Sequence, residues 1–146
     1  MGKRVDQALL GPDLVPAFAR LLPQLAADAR APTRAELEEV IAAPGTTLLV
    51  ARDEQGQVLG TLTLVVYATP NKRLSLIEDV VVDTAARGQG VGAALVSEAL
   101  RLARQHGAAQ TDLLSHDRRQ AAIRLYRRLG FERFETNVFR LVHAAK

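Results

Sequence analysis

LIEDVVVDTAARGQGVGAALVSEALRL, residues Leu76 to Leu102, decides how the rest of this chain is read. It opens on a β-branched run, Val80-Val81-Val82, with Glu78 and Asp79 before it and Asp83 after it. Branching at Cβ suits a pleated sheet, so this run is predicted to be a strand. A turn follows, Arg87-Gly88-Gln89-Gly90-Val91-Gly92, and then a segment in which Val91, Leu95, Ala99 and Leu102 recur at helical spacing, widened by Val96, Leu100 and Ala103. Strand, glycine loop and helix start together make an anion holder. The first amides of a helix lack intrahelical partners and carry the positive end of its dipole. Glycines let a phosphate approach that backbone because no Cβ stands in the way. The stretch is therefore expected to cradle a pyrophosphate. Its glycines alone do not choose between NAD, ATP and CoA.

Working outward, 146 residues with 48% hydrophobic and 24% charged side chains suit one globular domain, expected to span residues 1–146. No apolar run reaches the ~20 residues of a membrane helix, and MGKRVDQALLG lacks the apolar core of an export signal, so the expected location is the cytoplasm. Cysteine is absent, which removes disulfides, thiolate zinc sites and a thiol nucleophile. His106, His116 and His143 show no metal spacing, and no metal is expected. A net charge of +3 suits a polyanionic ligand. Nucleic acid is disfavoured, because aromatic residues are only 4% and no binding motif is present.

In chain order, Arg4 to Leu10 is predicted as a first strand. Asp13 is placed to cap an amphipathic helix, Leu14 to Ala27, in which Leu14, Phe18, Leu21, Leu22 and Leu25 share a face and Pro23 kinks or ends the run. Thr33 and Glu36 form a capping-box pattern opening a second helix to about Ala43. Thr46 to Arg52 and Val58 to Thr69 flank a polar turn as a hairpin, and Leu74 to Asp83 completes a meander. After the glycine loop come a helix to His106 with Gly107 as its C-cap, a short strand Thr111 to Ser115 parallel to the strand before the loop, a helix Arg119 to Leu129, and a closing strand Phe131 to Val142. The class is α+β, or mixed α/β.

The missing Gly-Lys-Ser/Thr excludes an ordinary nucleotide P-loop, and a glycine turn after an antiparallel meander does not suit a dinucleotide fold. Arg87 to Gly92 instead resembles the R/Q-x-x-G-x-G/A pattern of the GNAT N-acetyltransferase superfamily. Ala122-Ile123-Arg124-Leu125-Tyr126-Arg127-Arg128-Leu129-Gly130-Phe131 resembles its second signature, A-x-x-L-Y-x-x-x-G-F. The element order agrees over nearly the whole chain. The resemblance implies an acyl-CoA N-acyltransferase fold: a central, mostly antiparallel sheet flanked by helices, with a parallel strand pair splayed at the cofactor. It implies acetyl-CoA as cosubstrate and an amine as acceptor, and many relatives form homodimers. Carried over, the backbone of Val80, Val81 and Val82 pairs with the pantetheine arm, and the amides of Arg87, Gly88, Gln89, Gly90, Val91, Gly92 and Ala93 hold the pyrophosphate.

Acetyl transfer needs a deprotonated amine, a polarised carbonyl and a leaving thiolate that gains a proton. With no cysteine and no G-x-S-x-G elbow, direct attack in a ternary complex is simplest. Tyr126 is the candidate general acid, the role its position carries in the family, since a phenol of pKa ~10 stays protonated at neutral pH. Glu78 is the candidate base. In a regular strand it shares a face with Val80 and Val82 while Asp79 faces away, and partial burial would raise its pKa. Arg119 stands where many relatives have an asparagine that binds the cofactor arm. It has donors for a carbonyl or phosphate and equally suits a solvated helix start. Ser115 and His116 are placed to line an acceptor slot. A short similarity around Ile77-Glu78-Asp79 and Arg119 favours a small amine or amino sugar as acceptor. A protein N-terminus or lysine is the alternative, as is a CoA-binding module without catalysis.

Overall fold

The computed structural model describes residues 2–144, so residues 1, 145 and 146 of the expected domain lie outside the described residues. Among the described residues nine elements follow one another: β1 (Arg4–Gln7), α1 (Leu14–Leu25), α2 (Arg34–Ala42), β2 (Thr46–Arg52), β3 (Val58–Ala68), β4 (Arg73–Val82), α3 (Val91–Gln105), β5 (Thr111–Leu113) and α4 (Gln120–Arg128), with a 3-10 turn, Thr84–Ala86, ahead of α3. The strands form one sheet in sequence order. Neighbours are antiparallel except β4 and β5, which run parallel across the α3 crossover. This is the expected α+β class.

Alternation along the strands divides the core in two. Leu49, Ala51, Leu62, Leu64 and Ile77 face α3 and meet Val91, Leu95, Val96, Ala99 and Leu102. Leu48, Val50, Val58 and Val81 face the other way and meet Leu14, Phe18, Leu21 and Leu37 of the first two helices. The seam of α3 is sealed, with Leu95, Val96 and Ala99 at 0% exposure. Burying one such side chain contributes about 1.5–3 kcal/mol, so the α3 seam fixes the glycine loop against the sheet.

Thr33 caps α2 as predicted, accepting the Glu36 amide at 3.1 Å. Asp13 does not cap α1. Its carboxylate accepts from Arg52 Nη1 at 2.6 Å, tying the helix start to β2, because a nearby guanidinium competes better than backbone amides. That guanidinium, chiefly through its hydrogen bond, holds the Asp13 carboxyl below the ordinary range.

The closing strand predicted for Phe131 to Val142 does not form. Residues 131–144 contain no strand, and residues 132–144 are all exposed. Strand propensity in this segment is real, but a strand exists only where a neighbour completes its ladder, and this segment meets none in its own chain. Strand β5 is also shorter than predicted, ending at Leu113 instead of Ser115.

Candidate functional site

The reason β5 stops lies in β4. Thr61 pairs with Val81, but Thr63 pairs with Glu78, so Asp79 and Val80 together oppose Leu62. This is a β-bulge, and Asp79 absorbs it at φ 51, the only positive φ outside glycine among the described residues. Aspartate tolerates that left-handed conformation better than most residues.

The extra residue reverses the facing of the strand. Before it, Ile77 points toward α3; after it, Val80 and Val82 do, while Val81 joins the α1 side. Glu78 pairs with Thr63 and so lies on the α1 face, opposite to Val80 and Val82. The regular-strand expectation is thus corrected, and the bulge is the cause. Glu78 is also exposed instead of partly buried.

The parallel pairing of β4 with β5 ends at Ile77 and Leu113. Beyond that pair the two strands part, and a cavity of about 330 Å³ opens between them. Glu78, Asp79 and Val80 line one wall; Leu114, Ser115 and His116 line the other; Tyr126 and Arg119 close it from α4. The slot predicted between the splayed strands is therefore present, and it brings together Glu78, Val80, Arg119 and Tyr126. With no β5 opposite them, Val80 to Val82 present an edge that no strand covers, although the Arg87 side chain donates to Val82 O.

The glycine loop lies at the same end of β4. Gly88 and Gly90 have φ of 77° and 78°, which require glycine, while a Cβ at either would meet nothing within 4 Å. These two glycines are thus dictated by backbone shape and leave the space above the loop open. Gly90 is the N-cap of α3, and the first intrahelical bond runs from the Ala94 amide to Gly90 O at 3.0 Å. Among the described residues, the amides of Gly88, Gln89, Gly90, Val91, Gly92 and Ala93 donate to no protein acceptor. The Arg87 amide differs, since it reaches Thr84 O at 3.4 Å, and its side chain leans on Val82 O. A row of free donors at a helix start fits a pyrophosphate.

Tyr126, on α4, is half-buried and packs edge-on against Phe131, ring centroids 5.9 Å apart. Burial raises its phenol pKa above 10.0, with the Arg119 charge opposing in part. Arg119 itself donates through Nη2 to Leu25 O at 2.9 Å, so its guanidinium bridges the start of α4 to the end of α1 across the slot.

Several residues at this site carried no sequence signal. Lys3 donates to Gln89 O and brings a cation to the loop. Arg20 pairs with Asp83 at 2.9 Å and reaches Val58 O, while Gln24 Oε1 accepts from the Thr84 amide at 2.8 Å. These contacts lash α1 to the turn ahead of the cradle. Burial pushes the Asp83 carboxyl up, but the Ala85 amide, Arg20 and Gln24 outweigh it and hold it below the ordinary range. Leu25, Arg118 and Arg140 also line the slot. Only the spacing of Arg20 and Gln24 along one face of α1 could have hinted at this.

Comparison with known proteins agrees with this geometry. The profile of the Acetyltransferase (GNAT) family matches residues 14–131. The chain is 36% identical over 116 residues to the mycothiol acetyltransferase of Saccharomonospora viridis; the match covers 76% of this chain and 37% of that longer protein. A solved structure from Agrobacterium tumefaciens str. C58, named as an acetyltransferase, is 26% identical with a TM-score of 0.84, covering 96% of this chain and 99% of that one. The glucosamine-6-phosphate N-acetyltransferase of Arabidopsis thaliana, at 20% identity and a TM-score of 0.81 over 97% of this chain and 99% of its own, shares the fold.

Proposed function

We propose that this chain, which belongs to the acetyltransferase (GNAT) family, moves the acetyl group of acetyl-CoA to a primary amine within a ternary complex. The observation that carries this reading is the run of free amides from Gly88 to Ala93 beside the slot where β4 and β5 part. The amides and the α3 dipole hold the pyrophosphate, with Lys3 adding charge. The edge of Val80 to Val82 that no strand covers takes the pantetheine arm as a further strand, and an amide near Val80 faces the developing oxyanion.

In this reading Glu78 receives the proton of the incoming amine, directly or through a water, from the α1 side of the sheet. The bulge at Asp79 gives the two partners separate faces: Glu78 turns toward the amine, and Val80 toward α3. Tyr126 delivers a proton to the departing sulfur. Its burial supports that role, because a raised phenol pKa keeps the proton available through neutral pH. Arg119 acts as a positioning residue whose bond to Leu25 O sets the slot width, and a contact to the cofactor arm is its second use.

The acceptor is a small amine or amino sugar. The slot combines the carboxylates of Glu78 and Asp79, which attract an ammonium, with Arg118, Arg119 and Arg140, which suit hydroxyl or anionic substituents. Residues 1–146 act as one domain, in a cytoplasmic homodimer. The test is thiol release from acetyl-CoA across a panel of primary amines, with Tyr126→Phe and Glu78→Gln alongside. Loss of turnover in both variants, with acetyl-CoA binding retained, supports the assignment. Wild-type turnover that neither variant lowers sinks both catalytic roles.

A further inference from the structure

We propose that Gly60 is a positioning residue for the cofactor. By carrying no side chain it sets how close the start of α3 lies to β4, and so keeps the amides of Gly88 to Ala93 in step with the edge of Val80 to Val82. The inference deepens the acetyl-CoA reading and rests on it. Gly60 stands on β3, outside both sequence motifs, and does not itself line the slot. Its backbone has no positive φ, so conformation alone does not call for glycine. Crowding does. A Cβ at Gly60 would lie 2.8 Å from Val81 O, 3.2 Å from Leu95 Cδ1 and 3.2 Å from Val91 Cγ1. Carbon atoms rest about 3.5–4.0 Å apart, so a side chain here must push its neighbours aside.

Those neighbours are the two halves of the proposed cofactor site. Val81 O belongs to the stretch of β4 whose outer edge no strand covers. Val91 and Leu95 belong to the opening turns of α3, where the amides of Val91, Gly92 and Ala93 are free. Gly60 pairs with Ala51 on one side and Val82 on the other, in the middle of a row that crosses β2, β3 and β4. Two and four residues further along the same face of β3 stand Leu62 and Leu64, both fully buried against α3. The floor beneath the helix is therefore leucine along its length but falls to bare backbone and an alanine at the cradle end. The buried Val91 and Leu95 settle into that dip. Gly88 and Gly90 answer a different demand, backbone shape with open space above.

CoA is a single ligand that must meet both places at once. Joining two binding pieces makes the second contact intramolecular, and that gain disappears when geometry forbids simultaneous engagement. A methyl group at Gly60 lifts α3 from the sheet or displaces β4 at Val81. Either movement shifts the cradle against the β4 edge while each keeps its own shape. The two halves of CoA then still bind separately, and the joined molecule no longer fits both. Misplacement by about 1 Å costs on the order of 100-fold where groups must act together, so CoA is expected to weaken about 10–100-fold.

Amide NMR titrations of wild type and Gly60→Ala test the proposal with three probes: CoA, pantetheine, which has the arm alone, and ADP, which has the pyrophosphate alone. CoA weakened about 10–100-fold, with pantetheine and ADP each held within about threefold, supports the positioning role. CoA bound as tightly as by wild type overturns it. A loss for CoA that either fragment matches also overturns it, because Gly60 would then serve only the local fold. Should the single variant fail to fold, Gly60→Ala combined with Leu95→Val is measured in the same way. That form removes the Cδ1 that the added methyl meets but keeps the contact with Val81 O, so the same pattern is expected and the same results overturn it. Wild type that binds CoA but neither fragment overturns the premise of two separable places. Wild type that binds none of the three overturns the acetyl-CoA reading itself.

Discussion

Replacing Asp79 by glycine, asparagine and valine in turn isolates the feature on which the site geometry depends. The residue sits at φ 51 within β4, exposed on the wall of the slot. A left-handed conformation costs an ordinary L-residue about 1–2 kcal/mol. Glycine escapes that cost but gives back about 0.5–1 kcal/mol through the greater freedom of its unfolded chain. Asp79→Gly should therefore range from neutral to about 1 kcal/mol more stable. Asp79→Asn keeps a side chain that tolerates the conformation and should change stability little. A β-branched side chain is a true outlier there, and Asp79→Val should lose about 1–2 kcal/mol. The gap of about 2 kcal/mol between the glycine and valine forms corresponds to roughly 4–8 °C in Tm for a chain of this size. Thermal and urea unfolding measure it, and turnover measured in parallel separates shape from charge. If the bulge is what matters, the glycine and asparagine forms retain turnover and the valine form loses it. A valine form as stable and as active as the glycine form would refute the reasoning, because the strand would then reach the same site without the left-handed residue.

Further expectations follow from the same geometry. Tyr126→Phe should lower kcat about 100-fold or more, the usual contribution of a general acid, and the basic limb of the wild-type kcat profile should lie above about pH 10, because the phenol must keep its proton and burial raises its pKa. Gly90→Val should fold with a loss of about 1–2 kcal/mol and weaken CoA binding about 10–100-fold by calorimetry, since the side chain enters open space above the amides and costs one or two charge-assisted hydrogen bonds. Asp83 has a depressed folded pKa, so its stabilising contribution is present above the ordinary carboxylate value and is lost as pH falls through the folded one. Asp83→Asn should therefore be less stable than wild type near pH 6 and approach it near pH 3 in urea melts.

The part of this fold that sequence pattern could reach is the part held by local chemistry. The Val80 run, the glycine turn and the α3 seam each declare themselves within a few residues, and the structure returns them nearly unchanged. Thr33 and Glu36 are legible for the same reason. What stayed hidden depends on partners distant in the chain. Residues 131–142 have the composition of a strand, but pairing is not local, and nothing in that segment says where its neighbour lies. Asp13 has the right chemistry for a cap and is claimed by Arg52 instead, 39 residues away. The facing of Glu78 turns on one inserted residue, and an aspartate at a positive φ leaves no mark in a pattern of alternating side chains. The candidate residues Tyr126 and Glu78 could thus be named from the sequence, and the structure sets both at one cavity near the glycine loop, but their geometry could not be read. The ties from Arg20 and Gln24 to the turn ahead of the glycine loop, and from Arg119 across the slot, join distant elements, and beyond the spacing of Arg20 and Gln24 on α1 the sequence did not announce them.

The most direct test of the central claim is an amide NMR titration of the isotopically labelled chain with CoA and, separately, with pantetheine, which lacks the pyrophosphate. The account predicts saturable downfield shifts for the amides of Gly88 to Ala93 with CoA, while pantetheine moves Val80 to Val82 and leaves the glycine loop in place. Amides of Gly88 to Ala93 that do not respond to saturating CoA, or that respond equally to pantetheine, would contradict it.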